Sequence, residues 1–349
     1  MFKAVRVLLF LIVPLFYAAE ILAVPDSPFY GPNFIRVPYT WTFRGKTFSI
    51  EVTIPRRLYD VCMHDVQRRA AFGSDYSFYV TNNKDNHILQ AILDQLEEDA
   101  ARCGFSELDK VNFILSFVQS LYYSSDRLIG YDEYPRYPIE TLVEGGDCED
   151  KAILAAALLY QMGYRVVLIL FPGHAAVGIR WDQFIPNARY YWVDGHRYYY
   201  LETTTPSWEI GQIPPALREL TPQRIIRVNP KPLLTIDDWE ANPVDWDSQF
   251  AEYNIMLVLT NLGTSSSLDT QCSLALDPSP GVVLYLYNVS PGGFVQGRRF
   301  SNPFTIPPGE SRRVSFRVKC ARGRETRLLF RAWSSNHTLI ELVSEPFVP

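Results

Sequence analysis

Apolar and polar residues alternate from Tyr39 to Ile54 around Arg44-Gly45-Lys46, and a two-residue period broken by a turn predicts a β-hairpin. Beyond Pro55 the spacing lengthens to that of helices. One runs from Pro55, a residue suited to a helix start, to about Ala71. A second runs from about Asn86 to Arg102 and stops at Gly104, and a third opens at Ser106, where Asp109 three residues on makes a variant of the capping box. The stretch Asp132–Leu142 holds two prolines within four residues and predicts an extended connection. Asp147–Tyr164 then reads as a helix, with Asp147 as its cap, Asp150 at the N3 position and Gly163 at its end. Its middle is apolar nearly all round, which predicts a central, buried helix.

After this helix the period returns to two. Arg165–Phe171, His174–Trp181, Arg189–Val193 and Arg197–Thr204 read as strands, the last two joined by Asp194-Gly195. A helix followed by an antiparallel sheet is an α+β arrangement. Residues 210–249 are rich in proline and predict a surface linker, whereas residues 250–349 hold about seven short strand candidates separated by turn signals, the pattern of an all-β sandwich. The expected organisation is therefore an N-terminal segment 1–23, a hairpin and helical region 24–104, a core 105–209, the linker 210–249 and the sandwich 250–349.

Composition narrows the function. The 349 residues are 47% hydrophobic and 20% charged, with a net charge of −5 and no Lys/Arg-rich run, which excludes a nucleic-acid footprint. Lys3 and Arg6 precede an apolar run broken by Pro14 and followed by Ala18, Ala19 and Ala23. That pattern predicts a secretory signal, or else an uncleaved membrane anchor, and places the protein outside the cell or at its surface. Five cysteines in an exported chain leave one unpaired when all bonds are intramolecular. Cys62 with Cys103 and Cys272 with Cys320 could each close within one region, other pairings remaining open, and Cys148 is then left over.

Cys148 stands at the first turn of the buried helix, where backbone N–H groups and the positive end of the dipole favour a thiolate over the thiol. His174 opens a strand just after Pro172-Gly173, and Glu202 lies near the end of a later strand that can neighbour it. The three make a nucleophile, a base and a carboxylate that orients the base. Asp147, Glu149 and Asp150 oppose thiolate formation, so His174 would have to outweigh them. His196 and Asp194 are a rival pair explained by hairpin turn chemistry. The tyrosines at 190, 191, 198, 199 and 200 and Trp192 read mainly as sheet packing. Asn288 and Asn336 begin glycosylation triplets, compatible with export. No zinc spacing, calcium loop or phosphate-binding glycine loop occurs, so no metal or cofactor is implied.

The run "YPIETLVEGGDCEDKAILAAALLYQMGYRVVLILFPGHAAVGI" followed by "YYYLETT" resembles the core of the transglutaminase-like superfamily, in particular its archaeal and bacterial cysteine-peptidase members, over about residues 105–206. The resemblance implies a papain-like catalytic fold with Cys148 as nucleophile, His174 as general base and acid, and Glu202 as orienter. Transglutaminases more often carry Asp in the third place. The hairpin and first helix also look like a segment attached to the archaeal members. Gln119 is similar to the glutamine that papain-like enzymes use, which makes it a candidate oxyanion donor beside the Cys148 N–H. The expected function is an exported thiol enzyme acting on amide bonds of a protein or peptide, as a peptidase or amidase with water as acceptor, or a transglutaminase with an amine. The alternative from another class is a non-catalytic surface protein that uses the same folds for binding or assembly.

Overall fold

The computed structural model describes residues 28–126, 133–277 and 300–349, with the backbone alone at 287–290 and 293–296. The expected signal or anchor over residues 1–23, the Asn288 side chain and most of the strand candidate over residues 281–289 lie outside the described residues. The chain is α+β, with seven α-helices and four antiparallel sheets among the described residues.

The chain opens with strands β1 (Phe29–Tyr30), β2 (Phe34–Phe43) and β3 (Lys46–Pro55). The Phe43↔Lys46 pairing leaves Arg44 and Gly45 as a two-residue turn, both at positive φ (50° and 74°), the geometry that matches the twist of the flanking strands. The helices are α1 (Arg56–Met63), α2 (Val66–Phe72), α3 (Ser77–Val80), α4 (Asn86–Cys103), α5 (Glu107–Ser120), α6 (Pro138–Glu144) and α7 (Cys148–Gln161). The capping box of α5 is present, Ser106 and Asp109 each accepting the other's backbone N–H at 3.2 Å. Gly104, at φ 68°, ends α4.

Two helical expectations need correction. The single helix expected from Pro55 to about Ala71 is two, because the Asp65 side chain accepts the Arg68 N–H at 3.3 Å and caps a new start. The supposed extended connection becomes helical at Pro138, which occupies the first position of α6; proline is well suited there because that N–H has no partner within a helix.

A mixed-length sheet in the order β6-β7-β5-β4-β8 follows, made of β4 (Val166–Phe171), β5 (His174–Arg180), β6 (Tyr190–Val193), β7 (His196–Leu201) and β8 (Arg224–Arg227). Alternate residues of β4 face opposite sides, Val166 and Leu168 into the core around α7, Val167, Ile169 and Phe171 into a smaller cluster with Tyr200 and Ile213. Eleven residues of α7 are buried, as its all-round apolar pattern requires. A single cluster runs from Ile35 to Val228, so the regions expected as 24–104 and 105–209 share one core.

The remaining strands are β9 (Leu234–Trp246), β10 (Phe250–Asn261), β11 (Ser267–Asp277), β12 (Tyr287–Ser290), β13 (Gly293–Gln296), β14 (Phe304–Ile306), β15 (Ser311–Ala321), β16 (Arg327–Ser334) and β17 (His337–Val343). They form two sheets, β13-β12-β15-β10-β9 and β14-β11-β16-β17, whose inward residues, Leu257, Phe316, Leu274 and Phe330 among them, make one apolar cluster. The expected linker over 210–249 is not a linker. Its first part supplies β8 to the sheet that packs on α7 and its second part supplies β9 to the other unit. Of the six prolines in this stretch only Pro243 lies within a strand, and β9 is an edge strand with one row of backbone groups that needs no ladder partner.

All five cysteines are free, which overturns the expected Cys62–Cys103 and Cys272–Cys320 disulfides. Cys103 lies 3.6 Å from the Lys46 ammonium at the start of β3, whereas Cys62 follows the end of that strand on α1. Ten residues of extended chain span roughly 30 Å, far beyond disulfide reach. Cys272 and Cys320 sit on different sheets, both fully buried. Burial pushes their thiols up, to about 12 and about 11.

Candidate active site

Two glycines set the entry to α7. Gly145 has φ 75°, and a Cβ there would collide with the Tyr122 carbonyl. A Cβ on Gly146 would collide with the side chain of Asp150, whose Oδ2 accepts the Asp147 N–H at 3.2 Å. Asp150 is fully buried and accepts the Arg136 N–H at 2.7 Å, and the equally buried Arg136 guanidinium pairs with both Asp150 and Asp126. The motif Gly-Gly-Asp-Cys thus meets steric demands on both glycines and an ion-pair network behind the first turn.

The strand register brings the other two predicted residues together. β5 and β7 pair antiparallel with Val177 opposite Leu201. Extending that ladder puts Ala176 opposite Glu202, so His174 and Glu202 project from one side of the sheet. His174 Nε2 lies 3.1 Å from Glu202 Oε2. The Tyr200 hydroxyl donates to the same oxygen at 2.6 Å and is 3.4 Å from His174 Nε2. Glu202 Oε1 accepts from the Thr203 N–H, the Thr204 N–H and the Thr204 hydroxyl at 3.1, 3.0 and 2.6 Å. Burial alone would raise this carboxyl, but His174 and the Thr204 and Tyr200 hydrogen bonds outweigh it and hold it at about 2. Glu202 is therefore an anion above acid pH, and it fixes Nε2 of the imidazole, leaving Nδ1 for other work.

Cys148 adjoins this pair, since the N–H of Ala175, the residue after His174, is near enough to pull its thiol down. The thiol itself donates to Glu149 Oε2 at 3.3 Å, and no hydrogen bond joins Cys148 directly to His174 among the described residues. Catalytic contacts commonly tighten only when substrate is bound. The expected thiolate is not what the structure holds. Burial pushes the thiol well above its ordinary range, and the Glu149 and Asp147 carboxylates push it further, against the pull of the Ala175 N–H. Glu149 is raised in turn, by burial and then by its contact with Asp147. The resting pair is a neutral thiol beside a carboxyl that resists ionisation.

Gln119 has a different place from the one expected. It is 3% exposed, and its Nε2 donates to the Glu202 and Trp208 carbonyls, both at 2.8 Å. Both amide hydrogens are thereby engaged, so it is a brace for the Glu202 backbone and has no donor left for an oxyanion. The rival His196 is exposed at the hairpin turn, where Asp194 pairs with Arg227 at 2.7 Å. Lys151 was missed by sequence reasoning. It lies one turn along α7 from Cys148, is fully buried, and its ammonium donates to the Gln119, Leu121 and Thr204 carbonyls at 3.1, 2.9 and 3.1 Å. Burial lowers it to about 8. A lysine inside an otherwise apolar helix was the available signal.

Asp147, Cys148 and Glu149 carry donor atoms within 4.8 Å of one another, and they are the residues through which a divalent cation would compete with the proton on the thiol. None of Cys148, His174 and Glu202 lines the cavities of about 940, 530 and 840 Å³. No family model matches this chain, and no curated protein does. Among solved structures, one from Archaeoglobus fulgidus, described as a crystal structure of a protein from that organism, is 10% identical over 33% of this chain and 98% of its own, with a TM-score of 0.20. A likeness at that level carries no argument about fold or function.

Proposed function

We propose that the protein is an exported thiol enzyme that transfers acyl groups from amides, with Cys148 as nucleophile, His174 as base and acid, and Glu202 as orienter. In this reading the helix-on-sheet unit is a papain-like core of the transglutaminase-like kind and the C-terminal sheets are an immunoglobulin-like sandwich. The observation that carries it is the buried, anionic Glu202 bound to His174 Nε2 at 3.1 Å, with the Cys148 sulfur at the N–H of the next residue, Ala175.

The raised thiol defines the order of events. His174 Nδ1 takes the proton from the thiol as sulfur attacks the carbonyl carbon. A C–S bond forms, the C–N bond breaks, and the imidazolium gives its proton to the leaving amine. Water, or an amine, then attacks the thioester with His174 again as base, and the thiol is restored. Glu202 stabilises the imidazolium in both halves without taking its proton, since its carboxyl sits at about 2. The motif resemblance to cysteine peptidases favours water as acceptor and a protein or peptide as substrate.

The test is alkylation of Cys148 by iodoacetamide between pH 5 and about 9 in wild type and His174→Ala. The expected result is a wild-type rate at neutral pH at least about tenfold above the variant, followed by turnover in peptide-hydrolysis and amine-incorporation screens, whose ratio separates the two acceptors. Equal rates in both proteins sink the reading. They would favour the second one, a non-catalytic surface binding protein, which the neutral thiol and the placement of the larger cavities away from Cys148 support.

A further inference from the structure

A cavity of about 840 Å³ opens between the β2–β3 turn, the outer side of α5 and the loop after β7. It is distinct from the triad, and its chemistry is of one kind. Thr40, Thr42, Ser116 and Ser207 bring hydroxyls to the wall, Gln212 an amide, and Trp208 an indole. This space is a trough whose Trp208 and Gln212 walls also line a separate cavity of about 940 Å³.

The charges at the trough cancel locally. Arg44 lies 2.6 Å from Asp109 and 3.6 Å from Glu209, which leaves no unpaired cation for an anionic ligand at that rim. One amide in the wall keeps a donor free. Asn112 is 3% exposed and spends its Oδ1 on the Ile210 N–H at 2.8 Å, while its Nδ2 has no partner among the described residues. The Trp208 indole N–H is likewise without a partner among the described residues; its backbone carbonyl is held by Gln119.

We propose that this trough is a binding site for a neutral oligosaccharide, with the Trp208 indole packing against the apolar face of a sugar ring and Asn112 Nδ2 donating to one of its oxygens. A pyranose presents that combination: a ring of C–H groups on one face and hydroxyls that both donate and accept at its edge. An indole flanked by neutral hydroxyls and amides meets both parts, whereas an apolar ligand would strand the hydroxyls and a charged one would lack a counter-ion. The trough's volume of about 840 Å³ exceeds what a single ring fills, which points to two or more sugar units. The site stands independently of the thiol chemistry and is joined to it only through Gln119, which braces both Trp208 and Glu202.

The test is ligand-observed NMR and titration calorimetry on the full chain with chitotriose and maltotriose as neutral probes, and with trigalacturonate and blocked tetraalanine as charged and peptide probes. Millimolar or tighter binding of at least one neutral sugar, weakened about tenfold or more in Trp208→Ala and largely restored in Trp208→Phe, is the expected result. Thermal melts of both variants check the fold, and the Gln119 brace survives them because it uses only the backbone of residue 208. No binding of either neutral sugar at millimolar concentration overturns the proposal. So does sugar binding that Trp208→Ala leaves unchanged. Preferential binding of the peptide also overturns it, and would assign the trough to an extended segment lying along the unpaired edge of β2.

Discussion

Asp85 is a fully buried carboxylate that burial holds in its protonated form, and replacing it gives a pH-dependent change in stability of known sign. It sits at the N-terminus of α4, is fully buried, and neither carboxylate oxygen has a hydrogen-bond partner. The N–H groups of Asp85 and Ile139 and the Lys84 ammonium pull its pKa down and Glu140 pushes it up, but burial dominates and raises it from 3.8 to about 7. In the folded state the group holds its proton to higher pH than in the unfolded chain, so its contribution to stability is complete below pH 3.8 and is lost as pH rises to about 7. The difference of about three pH units corresponds to about 4 kcal/mol. Asp85→Asn removes the ionisation while keeping an equally good capping residue. Set against about 1–3 kcal/mol for a buried amide with incomplete partners, the variant is expected to be about 1–3 kcal/mol more stable than wild type at pH 8. It has no such advantage at pH 4. Urea unfolding followed by far-ultraviolet circular dichroism reads the right unit, because the seven described helices lie between Arg56 and Gln161, within the core that holds Asp85. Taking the difference between the two proteins removes Asp150, which burial also raises to about 7. A stability difference that stays flat from pH 4 to 8 would refute the reasoning.

The site gives further outcomes. Glu202→Gln removes the anion that holds Nε2 and should slow turnover, or alkylation of Cys148, on the order of 10²-fold or more with little loss of fold; an unchanged rate would remove Glu202 from the machinery. Lys151→Met orphans three buried carbonyls and should cost about 2–4 kcal/mol in urea unfolding; a neutral result would mean those carbonyls find other donors. Gly178→Ala places a Cβ 2.7 Å from Val167 Cγ2, with Ile169 Cδ1 and Tyr198 Cβ at 3.1 and 3.2 Å, and overpacking of that kind should lower stability by about 1–3 kcal/mol. Because Glu149 itself resists ionisation, Glu149→Gln should leave the pH profile of alkylation unmoved between pH 5 and about 9; a shift to lower pH would show a charged Glu149 beside the thiol at rest.

How much of this was legible in the sequence depended on whether the deciding interaction was local. The β2–β3 hairpin, the capping box of α5, the Gly104 stop and the order of strands after α7 all follow from residues within a few positions of one another, and each stands where the pattern put it. The His174–Glu202 contact was legible too, because two strands joined by Asp194-Gly195 and a neighbour leave little freedom of register. What failed involved distance or competition. A proline read as a breaker became the first residue of α6, where its missing N–H had no partner to lose, and a stretch read as linker for its prolines holds two edge strands with only Pro243 inside them. The Cys62–Cys103 disulfide failed because residues in one region can lie at opposite ends of a strand.

The state of Cys148 shows the same division at the level of charge. The sequence placed the thiol at a helix start, where the local field favours the anion. It could not weigh that field against burial, which depends on everything packed around α7, or against carboxylates at positions 147 and 149 that share the same turn. With the sulfur neutral at rest, a catalytic Cys148 would depend on His174 within the reaction and not on a thiolate formed beforehand. Activity would then follow the protonation of the imidazole more than that of the thiol. That makes the His174→Ala comparison the decisive one, because removing the base should cost most at neutral pH, where an unassisted thiol above its ordinary range is almost wholly protonated.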